Sequence, residues 1–122
     1  MTNSMNKMMN LINNGVSVSE AMKAVYKTRK VSIPFNDEDF NIFIVTLSLS
    51  TRTTNALMRA NLPTLKDAIE HINKKGWNSI RSLGRTSATE LYEKIVDIAW
   101  EFMNNVQRDD FLLDIDNRNV PR

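Results

Sequence analysis

The sequence predicts an all-α protein in which a helical hairpin precedes a helix-hairpin-helix module. Three observations predict this class. Apolar residues recur at helical spacing along almost all of the 122 residues. Ser or Thr stands before most of these segments, where a helix N-cap is expected. Finally, the stretch IRSLGRTSATEL at residues 80–91 joins two helical segments through one of only three glycines.

The N-terminal hairpin is predicted from two amphipathic segments that flank Gly15, a residue suited to a left-handed helix end. Ser17 and Glu20 form a capping-box pattern at the start of the second segment. The apolar stripes of the two segments are Met5, Met8, Met9 and Ile12, then Val18, Ala21, Met22 and Val25. Four basic residues crowd the exit: Lys23, Lys27, Arg29 and Lys30. We predict a domain over residues 1–35 that could read DNA as half of a helix-turn-helix, dimerise, or pack on the C-terminal module.

Residues 36–107 are predicted to form the second domain, and Pro34 marks the joint before it. Residues 40–49 predict a short helix that runs into an extended lead-in, TLSL. Ser50 and Thr64 are predicted to cap the next two helices. A further capping-box pattern, Ser87 to Glu90, begins the longest helix. The buried side of that helix is predicted to carry Leu91, Ile95, Ile98, Ala99 and Phe102.

The last residues, 108–122, form an acidic tail that also contains apolar side chains. These apolar residues are Phe111, Leu112, Leu113 and Ile115. Because leaving them in water is costly, they are expected to dock on the protein's own surface or on a partner.

The turn RSLGRTS predicts an anion site at the start of the longest helix. Leu83 is predicted to fill the core, and Gly84 to supply a positive φ or a close approach that a Cβ would block. The amides from Gly84 to Ser87 would then point outward at the positive end of the helix, where a DNA phosphate can bind. The alternative is that Leu-Gly is an ordinary helix stop.

Composition and charge exclude several classes of function. Cysteine is absent and the single histidine, His71, has no companions for a metal or nucleophilic site, so no enzyme, metal site or cofactor is expected. No apolar run suits a signal peptide or a membrane span, which predicts a cytoplasmic protein with no membrane partner. The net charge of +2 conceals basic blocks at residues 1–35 and 48–100, a pattern that favours a polyanionic partner only weakly.

Residues 47–99 resemble the C-terminal domain of the bacterial RNA polymerase α subunit. The resemblance rests on three stretches in the right order and spacing, LSLSTRTTNAL, ANLPTLKDAIE and IRSLGRTSATEL. It implies a helix-hairpin-helix fold and a role in bacterial or phage transcription. Since a small hairpin stands where an α subunit has a large assembly domain, a free-standing protein built on this module is expected.

The resemblance implies two groups of DNA-contacting residues. Arg52 would enter an A·T-rich minor groove, and Asn55 would contact the same groove or its backbone. The second group, Gly84, Arg85, Thr86 and Ser87, would lie against phosphates. Arg52 and Asn55 are three residues apart and share a helix face, and the negative potential of a narrow A·T-rich groove attracts a guanidinium. The alternative for Arg52 is a solvated surface residue.

Two departures from the family pattern leave a second function open. Thr86 stands where the family usually has a basic residue, and Thr46 and Ser48 stand where acidic residues commonly contact the σ factor. The favoured hypothesis is a non-enzymatic DNA-binding protein linked to transcription, with double-stranded DNA as its partner and a homodimer as one possible state. The alternative is an interaction module that binds RNA polymerase, a σ factor or an activator without contacting DNA.

Overall fold

The computed structural model describes residues 2–32 and 38–122, so the joint predicted at Pro34 lies outside the described residues. The described residues form helices and contain no strand, which confirms the all-α prediction. The α-helices are α1 Asn3–Asn13, α2 Val18–Val25, α3 Thr51–Arg59, α4 Leu65–Lys75, α5 Arg85–Phe102 and α6 Asn105–Arg118. Two short 3₁₀ helices cover Ile44–Thr46 and Trp77–Ser79.

The chain divides into two compact units. Unit 1 comprises Met1–Pro34 and Val96–Arg122, and unit 2 comprises Phe35–Ile95. The division differs from the predicted boundary at residue 107, because the chain from Val96 onward belongs with the N-terminal segment. That the ranges 1–35, 36–107 and 108–122 are separate domains stays a prediction.

Unit 1 begins with the predicted helical hairpin. Thr2 caps α1, because its Oγ1 accepts a hydrogen bond from the Met5 N–H at 3.1 Å. Ser17 caps α2 in the same way through the Glu20 N–H at 3.3 Å. Gly15, between the helices, has a φ of +89°, as predicted for a left-handed helix end. The two helices bury most of the predicted apolar stripes: Met5, Met8, Val18, Ala21, Met22 and Val25.

Helix α6 completes the core of unit 1. It forms from the predicted acidic tail and buries Phe111, Leu112 and Ile115, so docking on the protein's own surface is confirmed for these three residues. Leu113 remains 48% exposed. The predicted burial of Phe102 is wrong: Phe102 is the last residue of α5, 51% exposed, and its neighbour Met103 is buried instead.

The residues after α6 pair with those after α2. Tyr26 and Pro121 form an antiparallel bridge, and the Lys27 N–H donates to the Val120 carbonyl at 2.7 Å. Tyr26 is fully buried, and its hydroxyl donates to Oδ1 of Asp116 at 2.7 Å. Burial, this hydrogen bond and the charge of Asp116 together raise the pKa of Tyr26 well above its usual range.

Unit 2 has its core among α3, α4, the start of α5 and the segment before α3. The largest buried side chains there are Phe40, Ile44, Leu57, Leu65 and Leu91. The predicted extended lead-in, TLSL, is wrong. The Ile44 N–H bonds to the Pro63 carbonyl at 2.9 Å, a 3₁₀ helix follows, and Ser48 has a φ of +56°. This folded segment buries Ile44 and Leu47.

Candidate nucleic-acid interface

The predicted minor-groove residues lie on the exposed face of α3. Ser50 caps this helix, because its Oγ accepts a hydrogen bond from the Thr53 N–H at 3.3 Å. Arg52 and Asn55 follow, three residues apart and both exposed. The opposite side of the helix is buried through Thr53, Ala56 and Leu57. The structure therefore presents Arg52 and Asn55 together to solvent.

A hydrogen-bonded contact joins the start of α3 to α5. The Ser50 N–H donates to the two carboxylate oxygens of Glu90 at 3.2 and 3.1 Å, and the Ser50 hydroxyl donates to one of them at 3.0 Å. Glu90 lies in the second turn of α5. This contact joins the residue before α3 to the second turn of α5, and so ties together the two helices that carry the predicted groups of DNA-contacting residues.

The carboxylate of Glu90 is held in its charged form. Burial by itself acts to raise the pKa of Glu90, but hydrogen bonds from Thr53 and Ser50 and the charge of Lys94 outweigh it and lower the pKa below the ordinary 4.5. Because the pKa is lower in the folded chain than in the unfolded chain, the contact stabilises unit 2 fully above pH 4.5. The stabilisation is lost as the pH falls through the folded-state pKa.

Replacing Glu90 by Gln is expected to lower the free energy of unfolding at pH 7 by about 1 kcal/mol, because a neutral amide accepts weaker hydrogen bonds from Ser50. The variant should lose less stability than the wild type between pH 5 and pH 3, since it has no carboxyl group to protonate at this contact. Urea unfolding across that pH range measures both effects. Glu101→Gln, which changes an exposed carboxylate, is the control; equal acid sensitivity of wild type and Glu90→Gln would contradict the assignment.

The positive φ predicted for Gly84 is wrong, and no described part of the chain approaches its backbone closely; approach by a partner stays a prediction. Its φ is not positive; within this turn it is Ser82 that adopts a φ of +69°. A Cβ built on Gly84 meets no atom of the chain within 4 Å. The fold therefore does not require a glycine here, and a side chain would occupy open space in front of α5. Leu83 is only half-buried, and Ile80, 3% exposed, fills the core in its place.

Helix α5 begins at Arg85, two residues before Ser87. Its first hydrogen bond runs from the Ala88 N–H to the Gly84 carbonyl at 2.9 Å. The predicted capping box from Ser87 to Glu90 is therefore wrong, since Ser87 lies within the first turn and the Glu90 carboxylate bonds to Ser50 instead.

The first turn of α5 combines exposed side chains with unpaired amides. Arg85 and Thr86 are exposed. Ser87 is only 5% exposed, so its hydroxyl is hardly accessible to a partner. Within residues 38–122, the amides of Arg85, Thr86 and Ser87 have no backbone acceptor, as is usual for the first turn of a helix. The contacts of these residues with phosphate stay predictions.

The structure adds two arginines to the candidate interface. Arg59 is exposed on α3 at i+7 from Arg52 and i+4 from Asn55, so it extends the same face. Together with Arg81 it lines an open cavity of about 440 Å³ that also touches Ala56 and Ser82. The position of Arg59 on this face could have been predicted from its helical spacing to Arg52. The position of Arg81 could not, because only the folded turn brings Arg81 beside α3.

The described residues give little support for a metal site or for a helix that spans a membrane. Within residues 2–32 and 38–122, no three His, Asp or Glu side chains are close enough to share a metal ion. Nε2 of His71 is buried and has no hydrogen-bond partner among the described residues. Among the described helices, none combines the length and apolar character that crossing a bilayer requires.

Fold and surface together define a small helical module that exposes arginines in the first turns of two helices, α3 and α5, joined by the contact between Ser50 and Glu90. The comparison with known families names it: the C-terminal domain of the bacterial RNA polymerase α chain matches residues 33–97, slightly more than half of the chain. The chain belongs to this family, and the predicted resemblance is confirmed. No curated protein and no solved structure matches it. The matched part is accordingly a transcription-related module of the kind that binds DNA or contacts RNA polymerase.

Proposed function

We propose that the chain acts in bacterial or phage transcription by binding double-stranded DNA, with Arg52 in an A·T-rich minor groove and the start of α5 on the flanking phosphates. The observation that supports the proposal is the contact between Ser50 and Glu90, which joins the start of α3, next to Arg52, to the second turn of α5. Phosphate contacts position a protein on the duplex, and groove contacts give it a preference for certain base sequences, so the two groups of residues are needed together.

Each group has a physical role in this proposal. The Arg52 guanidinium is attracted by the enhanced negative potential of a narrow minor groove, and Asn55 can donate to its edge or backbone. At α5, the amides from Arg85 to Ser87 and the positive helix end favour a phosphate. Arg85 adds a full charge and Thr86 a hydroxyl, while Ser87 contributes its amide more readily than its buried hydroxyl.

Fluorescence anisotropy on an A·T-rich and a G·C-rich duplex tests the proposal. Binding should favour the A·T-rich duplex and weaken with salt, with a slope of about −3.6 in log affinity against log salt for about four phosphate contacts. So few contacts predict weak binding by one copy, which a second copy or a protein partner would strengthen. Absence of binding to both duplexes at low salt would overturn the proposal.

Replacing Gly84 by Ala is expected to weaken duplex binding several-fold while changing the free energy of unfolding by less than about 1 kcal/mol. The chain leaves room for the methyl group, so a Cβ obstructs only a partner that approaches the backbone. The small stability change reflects two opposed effects, reduced freedom of the unfolded chain and a poorer residue before the helix.

Gly76→Ala is the matched control for this variant. Gly76 has a φ of +83°, which an alanine adopts only with strain, so this substitution should destabilise unit 2 and leave duplex affinity unchanged at temperatures where the chain is folded. Equal duplex affinities of Gly84→Ala and the wild type would show that no partner approaches the Gly84 backbone.

A second candidate function is docking onto RNA polymerase, a σ factor or an activator. The observation that favours it is the exposure of three apolar side chains in unit 2, Phe43 (62%), Val45 (63%) and Met58 (43%). Exposed apolar residues of this size often mark protein contacts. Binding of a polymerase subunit that Phe43→Ser abolishes, together with no affinity for DNA, would favour this function over the first.

A further inference from the structure

We infer that unit 1 carries a second, sequence-independent surface for the phosphates of a nucleic-acid duplex, formed by Lys23, Lys27 and Lys30. These three exposed lysines are called the basic edge below. The inference goes beyond the proposed function, because the basic edge lies outside the residues that match the family and would contact phosphates without a groove contact from Arg52.

The end of the chain gathers the three lysines. The Lys30 N–H donates to Oδ1 of Asn119 at 2.6 Å, and the Lys27 N–H donates to the Val120 carbonyl at 2.7 Å. The Lys23 carbonyl accepts from Nε of Arg122 at 2.9 Å. The backbone of each lysine thus contacts one of the four residues 119–122. A segment of this length spans about 10 Å when extended. The Arg122 guanidinium adds a further positive charge.

A buried amide fixes the backbone of the basic edge. Asn119 is 7% exposed and makes hydrogen bonds to both the N–H and the carbonyl of Lys30, to the Thr28 hydroxyl and to the Ile115 carbonyl. A backbone held in this way loses little conformational freedom when a ligand binds. The lysines are consequently presented from a rigid segment, although their own side chains reach into solvent.

The charge of the basic edge is poorly neutralised. Residues 21–32 contain no acidic residue. Of the nearby carboxylates, Asp114 is paired with Arg118 at 2.8 Å, whereas Asp116, which accepts from the Tyr26 hydroxyl, keeps its negative charge but forms no described ion pair with a lysine. Glu20, exposed at the start of α2, is the remaining acidic group on that helix. No described ion pair involves Lys23, Lys27 or Lys30.

The chemistry of the basic edge fits phosphates better than an acidic protein. Protein interfaces are enriched in aromatic residues and arginine and depleted in lysine, and the aromatic residue of this segment, Tyr26, is fully buried. Lysines at the surface suit phosphate contacts, in which each neutralised phosphate releases a counterion whatever the base sequence. A duplex backbone is therefore the occupant that we assign.

Titration of the full isotope-labelled chain, carrying Arg52→Ala, with a G·C-rich DNA duplex at low salt tests the inference by NMR. The amide signals of Lys23, Lys27 and Lys30 should shift, with a salt slope of about −2.7 for three contacts. The combined variant Lys23→Gln, Lys27→Gln and Lys30→Gln should weaken this binding at least about tenfold. A matched control, Lys7→Gln, Lys74→Gln and Lys75→Gln, removes the same charge elsewhere and should retain most of it.

The outcomes separate this inference from the proposed function. Shifts confined to α3 and residues 80–87 would overturn the basic edge and leave the proposed function intact. Equal losses in the two triple variants would show a general effect of net charge and also overturn it. Poly-glutamate that shifts the lysine signals when DNA does not would identify an acidic protein as the occupant instead.

Discussion

Replacing Arg52 by Ala is expected to lower the affinity for an A·T-rich duplex by about 10- to 100-fold, or about 1–3 kcal/mol. The side chain is exposed on α3 and makes no hydrogen bond or ion pair with the described residues, so the free energy of unfolding should stay within about 0.5 kcal/mol of the wild type. The loss should be larger on the A·T-rich than on the G·C-rich duplex, because only the narrower groove concentrates negative potential around the guanidinium. Anisotropy on both duplexes measures the difference.

Two further variants make the Arg52 experiment specific. Lys75→Ala removes another exposed positive charge, at the end of α4 and outside the two proposed groups of contacts, and should change affinity by less than about twofold. Arg52→Lys keeps the charge but loses the planar guanidinium, so it should fall between the wild type and Arg52→Ala. Equal losses on the two duplexes would show that Arg52 acts as a phosphate contact and would contradict its placement in the groove.

Replacing Asn119 by Ala is expected to lower the free energy of unfolding by about 2–4 kcal/mol. The substitution removes hydrogen bonds to Thr28, Lys30 and Ile115 and leaves buried or partly buried backbone groups without this partner, each at a cost of up to about 1–3 kcal/mol before relaxation. Denaturant unfolding measures the loss. Cooperative unfolding, with an unchanged slope of the unfolding free energy against denaturant concentration, would show that the native state keeps its compactness.

Asn117→Ala is the control for this substitution. Asn117 lies in α6 two residues before Asn119, but its side chain is exposed, so its replacement should change stability by less than about 0.5 kcal/mol. In NMR spectra of Asn119→Ala, the signals of residues 27–30 should change more than those of α1. Equal stability of the two variants would contradict the view that the buried amide holds the chain end against the residues after α2.

Much of the helical structure of unit 2 could be predicted from local sequence patterns. Ser50 and Thr64 cap α3 and α4 as predicted, because a hydroxyl before an apolar stripe satisfies free amides without help from the rest of the fold. The three stretches that carry the family resemblance lie within the matched residues 33–97. The exposure of Arg52 and Asn55 could also be predicted from the sequence. Residues three positions apart lie on the same face of a helix, and here the opposite face is the apolar one that is buried.

The sequence by itself determined the fold class, the helix starts at Ser17, Ser50 and Thr64, and the family, because these depend on short-range spacing. The tertiary structure alone decided the rest. Glu90 has a local partner in Ser87 by spacing, yet it bonds to Ser50, forty residues away, and α5 begins at Arg85. Asn119 joins residues about ninety positions apart. Such contacts depend on which segments the buried core brings together, and no local pattern of residues encodes that choice.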